Sequence, residues 1–295
     1  MKYFTAFLSC LILFSCSRHA VVKHKKTDLE VLHYNGKVKM ITYNVYKAIG
    51  DSTKPEKGNL MSKMITRCNE SGYFTEQSYF KGGEKLSYQV VRRYDTNFNI
   101  IGEERVQSVL QYLTPGDTKP DSLSINRDSF LIKLDDRGNK AEVKAYENGK
   151  PWYRDVNWFD EKGNLIEQKE YVPWDTLNKI ETFKYDEKGN LVQKGWLHPD
   201  SSVINKYSYT YNDKGDFTNL ITYKSDGTVS SKETRKYDDK GNKTQDSCVN
   251  NDGSVLYNSR YVFTAFDDKG NWIKEIYYDN NKPFSVTERF IEYYK

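Results

Sequence analysis

The sequence predicts an all-β protein: tandem antiparallel β-hairpin repeats forming a long curled sheet or an open, shell-like meander. Three features carry that expectation. The chain is polar, with 37% hydrophobic and 29% charged residues, yet it holds 24 Tyr, 14 Phe and 5 Trp among 295 residues, a bias that favours strands over helices. A six-residue turn motif returns at a nearly fixed spacing, the signature of a repeat architecture. Between the turns, aromatic and small polar residues alternate along the chain, as a sheet with two different faces requires. The same composition excludes other classes. No apolar run beyond the N-terminus approaches the ~18–20 residues of a membrane helix, and the aromatic content is too high for a disordered chain. Four cysteines are too few for a scaffold built on disulfides.

Residues 1–15 read as a removable signal peptide outside the fold. Lys2 supplies a positive start, and Tyr3 to Phe14 form a mostly apolar stretch, long enough for a signal sequence and short for a span. The stretch ends in Leu13-Phe14-Ser15-Cys16, with an apolar residue three before the cysteine and a small one directly before it. These residues resemble the lipobox of bacterial lipoproteins. The resemblance implies cleavage before Cys16, a diacylglycerol thioether on its sulfur, and firm membrane anchoring by several acyl chains at ~0.8 kcal/mol per buried CH₂. Ser17 stands where Asp would imply inner-membrane retention in that family, so the outer membrane is favoured. Residues 16–32 form the tether, with Arg18, Lys23, Lys25 and Lys26 beside the anchor. Without these four and Lys2, the chain holds 40 basic against 41 acidic residues. Such a balanced body lacks the concentrated basic face of a nucleic-acid binder.

Residues 33–295 read as a single β-repeat domain, clearest over 130–295. Phe159-Asp160-Glu161-Lys162-Gly163-Asn164 recurs from Tyr185, Tyr211 and Tyr237, each copy 26 residues after the last. Further copies begin at Leu134, 25 residues before the first of these, and at Phe266, 29 residues after Tyr237. Fainter ones begin at Cys68 and Tyr94. The Asp or Asn of each hexapeptide can accept a hydrogen bond from the backbone two residues on. The Gly stands where a type I turn with a G1 bulge needs φ above zero. Asp160, Gly163, Asp186, Gly189, Gly215, Asp238, Gly241, Asp267 and Gly270 are therefore assigned to structural turns. Looser turns lie halfway between, among them Glu147-Asn148-Gly149-Lys150 and Ser225-Asp226-Gly227-Thr228. Two turns of ~4 residues in each period leave two strands of about nine. Each unit is then a hairpin, and the whole a meander of roughly 14–18 strands.

Alternation assigns the faces. Seven residues beyond the final residue of each turn stand Tyr146, Tyr171, Leu197, Tyr223, Val249 and Tyr278. On returning strands, Tyr207, Tyr209 and Tyr211 alternate with Ser208 and Thr210. Rows of cross-strand aromatics, at ~0.2–1 kcal/mol per pair, are expected on one greasy, inward face opposite a face of Lys, Glu, Gln, Thr and Ser. Residues 45–60, with Gly50, Pro55 and Gly58, read as a loop. Thr114 to Pro120 reads as an irregular insert, and Val106 to Tyr112 fits a strand better than a helix.

From Leu134 onward the units resemble the Tyr-Asp repeats of the Rhs and teneurin families. Their consensus also runs aromatic-Asp-x-x-Gly-Asn/Arg, then a strand, a Gly turn and a Tyr-rich strand. The resemblance implies stacked hairpins, which in large members wind into a hollow shell around a toxic C-terminal segment. Here the repeat is longer, six copies are clear, and the sequence closes on Tyr293-Tyr294-Lys295 directly after a strand. The repeat architecture is therefore expected and an enclosed cargo is not.

No catalytic residue, metal site or cofactor is expected. His19 and His24 lie in the tether, His33 begins the body and His198 sits in a turn. None pairs at metal-ligand spacing, and neither a nucleophile elbow nor a phosphate-cradling loop is present. The oxygens of Asp238, Asp239 and Asn242 match no calcium-binding loop. Cys68 and Cys248 are expected as two separate buried thiols. Trp152, Trp158, Trp174, Trp196 and Trp272 read as packing residues, with a sugar-stacking platform as the alternative. The chain is thus expected to be a lipid-anchored envelope protein without enzymatic activity, binding a protein partner or scaffolding an assembly. A glycan-binding lipoprotein and an enzyme with convergent acidic residues between repeats are the other readings.

Overall fold

The computed structural model describes residues 26–51, 53–111 and 122–295. The expected signal segment, Cys16 with the residues that resemble a lipobox, and the expected insert at Thr114 to Pro120 lie outside the described residues. A one-turn helix, α1 (Asp28–Val31), precedes eighteen strands among the described residues. The first six are β1 (Val38–Ile49), β2 (Glu56–Cys68), β3 (Phe74–Lys81), β4 (Lys85–Tyr94), β5 (Ile100–Gln111) and β6 (Ser122–Leu134). Then come β7 (Lys140–Glu147), β8 (Lys150–Phe159), β9 (Leu165–Val172), β10 (Thr176–Tyr185), β11 (Leu191–Leu197) and β12 (Val203–Tyr211). The last are β13 (Phe217–Tyr223), β14 (Val229–Tyr237), β15 (Lys243–Asn250), β16 (Val255–Phe266), β17 (Trp272–Asp279) and β18 (Lys282–Tyr293).

Each strand pairs antiparallel with its sequence neighbours, and β18 returns to β1 through Ile41↔Ile291, Tyr43↔Arg289 and Val45↔Thr287. The sheet is a closed up-and-down barrel, not the open meander expected from the repeat. An open array of this length would leave two unpaired edges, and closure removes both. Eighteen strands at ~4.8 Å spacing give a circumference of about 86 Å or more, a girth at which barrels enclose a lumen.

The hexapeptide turns all fall at one end, here called the near rim; the looser turns form the far rim. At Asp186, Gly189 N donates to Asp186 O (3.0 Å) and Asp186 N to Asn190 O (2.9 Å), and the register slips by one residue just above. That is a type I turn with a bulge. Gly163, Gly189, Gly215, Gly241 and Gly270 lie at φ from +80 to +83°, a region that costs an L side chain ~1–2 kcal/mol. The sixth residue has a role that reading the turn alone did not assign. Asn190 donates from its backbone N to Asp186 Oδ1 (2.7 Å) and from Nδ2 to Oδ2 (2.9 Å), and Asn139, Asn164 and Asn242 repeat the pair. Tyr94, Tyr211 and Tyr237 donate their hydroxyls to the carbonyls of Phe74, Leu191 and Phe217, 20 residues back in each case. Neighbouring turns are thereby tied along the rim.

The expected loop over 45–60 is shorter than predicted, because β1 continues to Ile49 and β2 begins at Glu56. Gly58 is a strand residue; a Cβ there would stand 3.1 Å from Lys47 O and 2.8 Å from the Ile49 side chain. Close packing against the neighbouring strand is what that glycine serves.

Cross-strand partners share a face, so the register divides the wall in two. One face carries Ile41, Val45, Thr66, Val90, Glu103, Phe130, Ala145, Phe183, Asp246 and Thr287, all buried; it is the concave, inward face. The other carries the exposed Val91, Leu131, Trp158 and Phe290. The inward face is mixed, with apolar and aromatic residues among charged ones, and not the uniformly greasy face expected. Tyr146, Tyr171, Leu197, Tyr223, Val249 and Tyr278 are outward, opposite Ser129, Arg154, Ile180, Lys206, Lys232 and Arg260. Tyr207 and Tyr209 are inward, among charged neighbours. The bulge above each turn causes the difference, since one extra residue inverts the parity counted from the turn.

Candidate functional site

Charged groups in matched sets line the inward face. Arg92 Nε lies 2.9 Å from Glu103, which Arg105 also engages while covering the Phe130 ring at 4.4 Å. Lys179 and Lys194 meet Glu181 at 2.7 and 2.6 Å over Trp196, and Tyr207 abuts that ring edge-on at 5.3 Å. Arg235 pairs with Glu233 at 2.7 Å, and Lys243 with Asp246. Burial opposes ionisation at Glu103 and Glu181, but their flanking cations outweigh it and hold both below the usual carboxylate range. Two carboxyls lack that balance. Asp155, opposite Glu170 in the register, is pushed up to about 7 by burial and then by the charges of Glu170 and Glu181. Its buried Oδ1 has no hydrogen-bond partner among the described residues. Glu275 is likewise pushed up to about 7 by burial, which Arg289 and Lys243 only partly offset.

The near-rim mouth is crossed by the N-terminal segment. Thr27 and Glu30 form a reciprocal cap, with Glu30 N donating to Thr27 Oγ1 (3.2 Å) and Thr27 N to Glu30 Oε2 (2.7 Å). Leu29 of α1 is buried with Val38, Ile41, Cys68 and Phe74, and Phe74 N donates to Asp28 Oδ2 at 2.7 Å. Tyr34 then bonds both Tyr43 and Arg289. The Arg289 guanidinium lies 3.3 Å from the Trp272 ring centre, and its Nε donates to Trp272 O at 2.7 Å. Asn35 and Asn271 exchange two hydrogen bonds, at 2.8 and 2.9 Å. His33 Nε2 reaches Asp216 Oδ1 at 3.1 Å. The segment thus spans from the β2–β3 turn to the β12–β13 turn.

These contacts explain two departures from the repeat. In the copy at Tyr211, Asn212 and Asp216 exchange places and keep their mutual bonds, at 3.0 and 2.8 Å; the relocated carboxylate is the one that meets His33. In the copy at Phe266, Asn271 turns to Asn35, and Tyr293 donates to Asp267 in its stead. Between the segment and the β14–β15 and β16–β17 turns lies a cavity of about 810 Å³, lined by Lys26, Lys240, Lys269, Leu32, Tyr34 and Trp272 among others.

The outward face carries Lys63, Lys144, Lys169, Lys206, Lys232 and Arg260 along its strands. In a bilayer each such cation would cost ~2–4 kcal/mol near the midplane. Its aromatic row is topped by cations: Arg154 over Tyr171 (4.6 Å), Lys206 over Tyr223 (5.6 Å) and Arg260 over Tyr278 (3.7 Å). Trp158, Trp174, Trp196 and Trp272 also each carry a Lys or Arg over the ring. Trp152 instead abuts Tyr153 edge-on at 5.0 Å and is 43% exposed, with Trp158 at 40%.

The turn residues Asp160, Gly163, Asp186, Gly189, Gly215, Asp238, Gly241, Asp267 and Gly270 all stand in near-rim turns, where the carboxylates are occupied by turn hydrogen bonds. Cys68 and Cys248 are buried free thiols, and burial pushes Cys68 up to about 12, which leaves it unreactive near neutrality. Among the described residues no group of His, Cys, Asp and Glu is arranged to hold a metal ion. Arg289, Tyr34, Asp155 and Glu275 went unassigned in the sequence because none belongs to a motif; the Asn212/Asp216 exchange was the one visible pointer to the mouth.

No family model and no curated protein matches the chain. In structure it is similar to a porin-like protein from Bacteroides uniformis ATCC 8492, at 11% identity, TM-score 0.46, covering 88% of this chain and 99% of that one. A porin-like protein from Bacteroides vulgatus ATCC 8482 is similar at 9% identity and TM-score 0.30, covering 87% and 98%. A TcdB2-TccC3-TEV structure is similar at 11% identity and TM-score 0.29, covering 83% of this chain and 15% of that one. Likenesses at this level assign no activity.

Proposed function

We propose that the chain is a lipid-anchored protein of the bacterial cell envelope, at the outer membrane, that binds a protein partner through its barrel and performs no catalysis. Attachment through Cys16 suits a barrel whose charged outer wall is built for water, and the tether would join it at the near rim. The observation that carries the binding role is the outward pair Tyr171 and Tyr223 beneath Arg154 and Lys206, together with the exposed Trp152 and Trp158. Tyr, Trp and Arg are the residues in which interface binding energy concentrates. Crosslinked envelopes should return a reproducible partner with the native chain, lost on Trp152→Ala/Trp158→Ala substitution. Recovery of the same proteins with the variant would contradict the reading. Cations over four of the five indoles favour packing over a sugar platform.

An enzymatic reading has one supporting observation, the inward Asp155 beside Glu170. A carboxyl poised near neutrality, with a second carboxyl group opposite it, can act as a general acid. Hydrolysis of an envelope polysaccharide that disappears on Asp155→Asn substitution would turn the assignment toward it.

A further inference from the structure

The lining of the mouth cavity is rich in cations, with Lys26, Lys240, Lys269 and Arg289 against the carboxylate of Glu30. Leu32, Tyr34 and Trp272 give it an apolar and aromatic side, and three lysines reach it from three segments: Lys26 beside α1, Lys240 from the β14–β15 turn and Lys269 from the β16–β17 turn. Asp239 and Asp268 share the turns of Lys240 and Lys269 without lining the cavity, and the other acids nearby are committed. Asp238 accepts from Lys240 N and from both nitrogens of Asn242. Asp267 accepts from Lys269 N, Asn271 N and the Tyr293 hydroxyl. Asp216 meets His33, and Glu30, the one carboxylate among the described lining residues, accepts from Thr27 N.

The lysines have no such commitments. None of the three has a carboxylate partner among the described residues. Lys240 lies 4.0 Å over Phe266 and Lys269 4.9 Å over Tyr293; ring contacts place an ammonium while leaving its hydrogens for another acceptor. Three lysines lining a cavity of ligand size favour a compact anion with several acceptor oxygens. We propose that this cavity binds a phosphate group, held by Lys26, Lys240 and Lys269, with the attached organic part against Leu32 and Trp272. The phosphate could come from a lipid headgroup, which the tether from Cys16 to Lys26 would bring near, or from a soluble phosphorylated compound. Only the first source rests on the anchor proposed above.

The test uses the full chain with Cys16→Ala, which removes the acylation site. Calorimetric titration with inorganic phosphate at constant ionic strength should show saturable binding, weakened at least about tenfold by Lys240→Gln/Lys269→Gln. The charge-keeping Lys240→Arg/Lys269→Arg variant should retain binding, as should Lys162→Gln/Lys188→Gln in turns outside the cavity. Absence of saturable binding, or equal weakening by the two Gln pairs, would overturn the site. Cosedimentation with phosphatidylglycerol/phosphatidylethanolamine vesicles, lost with the cavity pair alone, would identify the headgroup; phosphate binding without vesicle binding would identify a soluble compound. Palmitate labelling of the native chain tests the anchor separately, so the two proposals fail independently.

Discussion

From β4 to β15 the barrel is held mainly by near neighbours, whereas from β16 through the seam to β3 it is also held by residues far apart in the chain. In the first region Asp186 bonds Asn190, Lys194 bonds Glu181, and Tyr211 reaches back to Leu191. In the second, Tyr34 meets Arg289 across 255 residues, Asn35 meets Asn271 across 236, and Tyr294 donates to Cys68 O across 226. The hydrophobic cluster of Leu29, Val38, Ile41, Cys68 and Phe74 lies there too. The contrast separates two tasks. The repeat builds wall, with stability nearly additive along it; residues outside the repeat fasten the wall into a ring.

The largest test of that contrast compares two arginines. Arg289→Ala removes a guanidinium from Trp272, Tyr34 and Tyr43 and leaves buried acceptors unmatched, a loss of about 3 kcal/mol or more. Arg235→Ala removes one ion pair and a contact over Phe217 and should cost about 1–2 kcal/mol. Urea melts give the totals. Hydrogen exchange should show β1 and β18 opening first in the Arg289 variant, with β7 to β12 still protected. Equal losses and uniform exchange would erase the distinction between seam and wall.

A second comparison sets Asp155 in the wall against Glu275 near the seam. Each keeps its proton up to about 7 in the folded state, after the unfolded chain has released it. Their contribution therefore weakens stability as pH rises from the unfolded carboxylate range of about 4 through about 7. Glu103 and Glu181 act in the opposite sense, stabilising above the unfolded range and losing that contribution on acidification. Asp155→Asn and Glu275→Gln should each raise stability at about pH 8 by roughly 1–3 kcal/mol, with little gain at about pH 4. Denaturant melts across that range check the sign.

Glycines give a smaller contrast. Gly189 and Gly241 share φ near +81°, but a Cβ on Gly189 meets nothing within 4 Å, while on Gly241 it stands 3.1 Å from the His33 ring. Gly189→Ala should cost the backbone term alone, about 1 kcal/mol. Gly241→Ala should cost measurably more, because the N-terminal segment must shift. Asp216→Asn, which restores the amide common at that position, should lose only the half-exposed His33 contact, under about 1 kcal/mol. Thermal melts rank the three variants.

The hairpin unit, its two turns and the positive φ of the turn glycines were readable because each depends on residues a few positions apart. Continuation of strand through Gln111 was readable from its alternation. Closure was not, because the pairing of Tyr43 with Arg289 lies outside every repeat. The faces misled for a definite reason: Tyr223 and Tyr207 look in phase from the turn, and the bulge puts them on opposite sides. The inner ion pairs were hidden as well, since Lys179, Glu181 and Lys194 in alternating positions look the same whether they face water or the inward face of a barrel.

Closure can be measured as one distance. Spin labels on Thr42 and Phe290, outward cross-strand partners at the seam, should lie within about 20 Å of each other, label arms included, in a chain whose native cysteines are replaced by Ser. A separation beyond about 40 Å, toward the roughly 80 Å that seventeen strand spacings span along an unrolled sheet, would show that β1 and β18 do not meet.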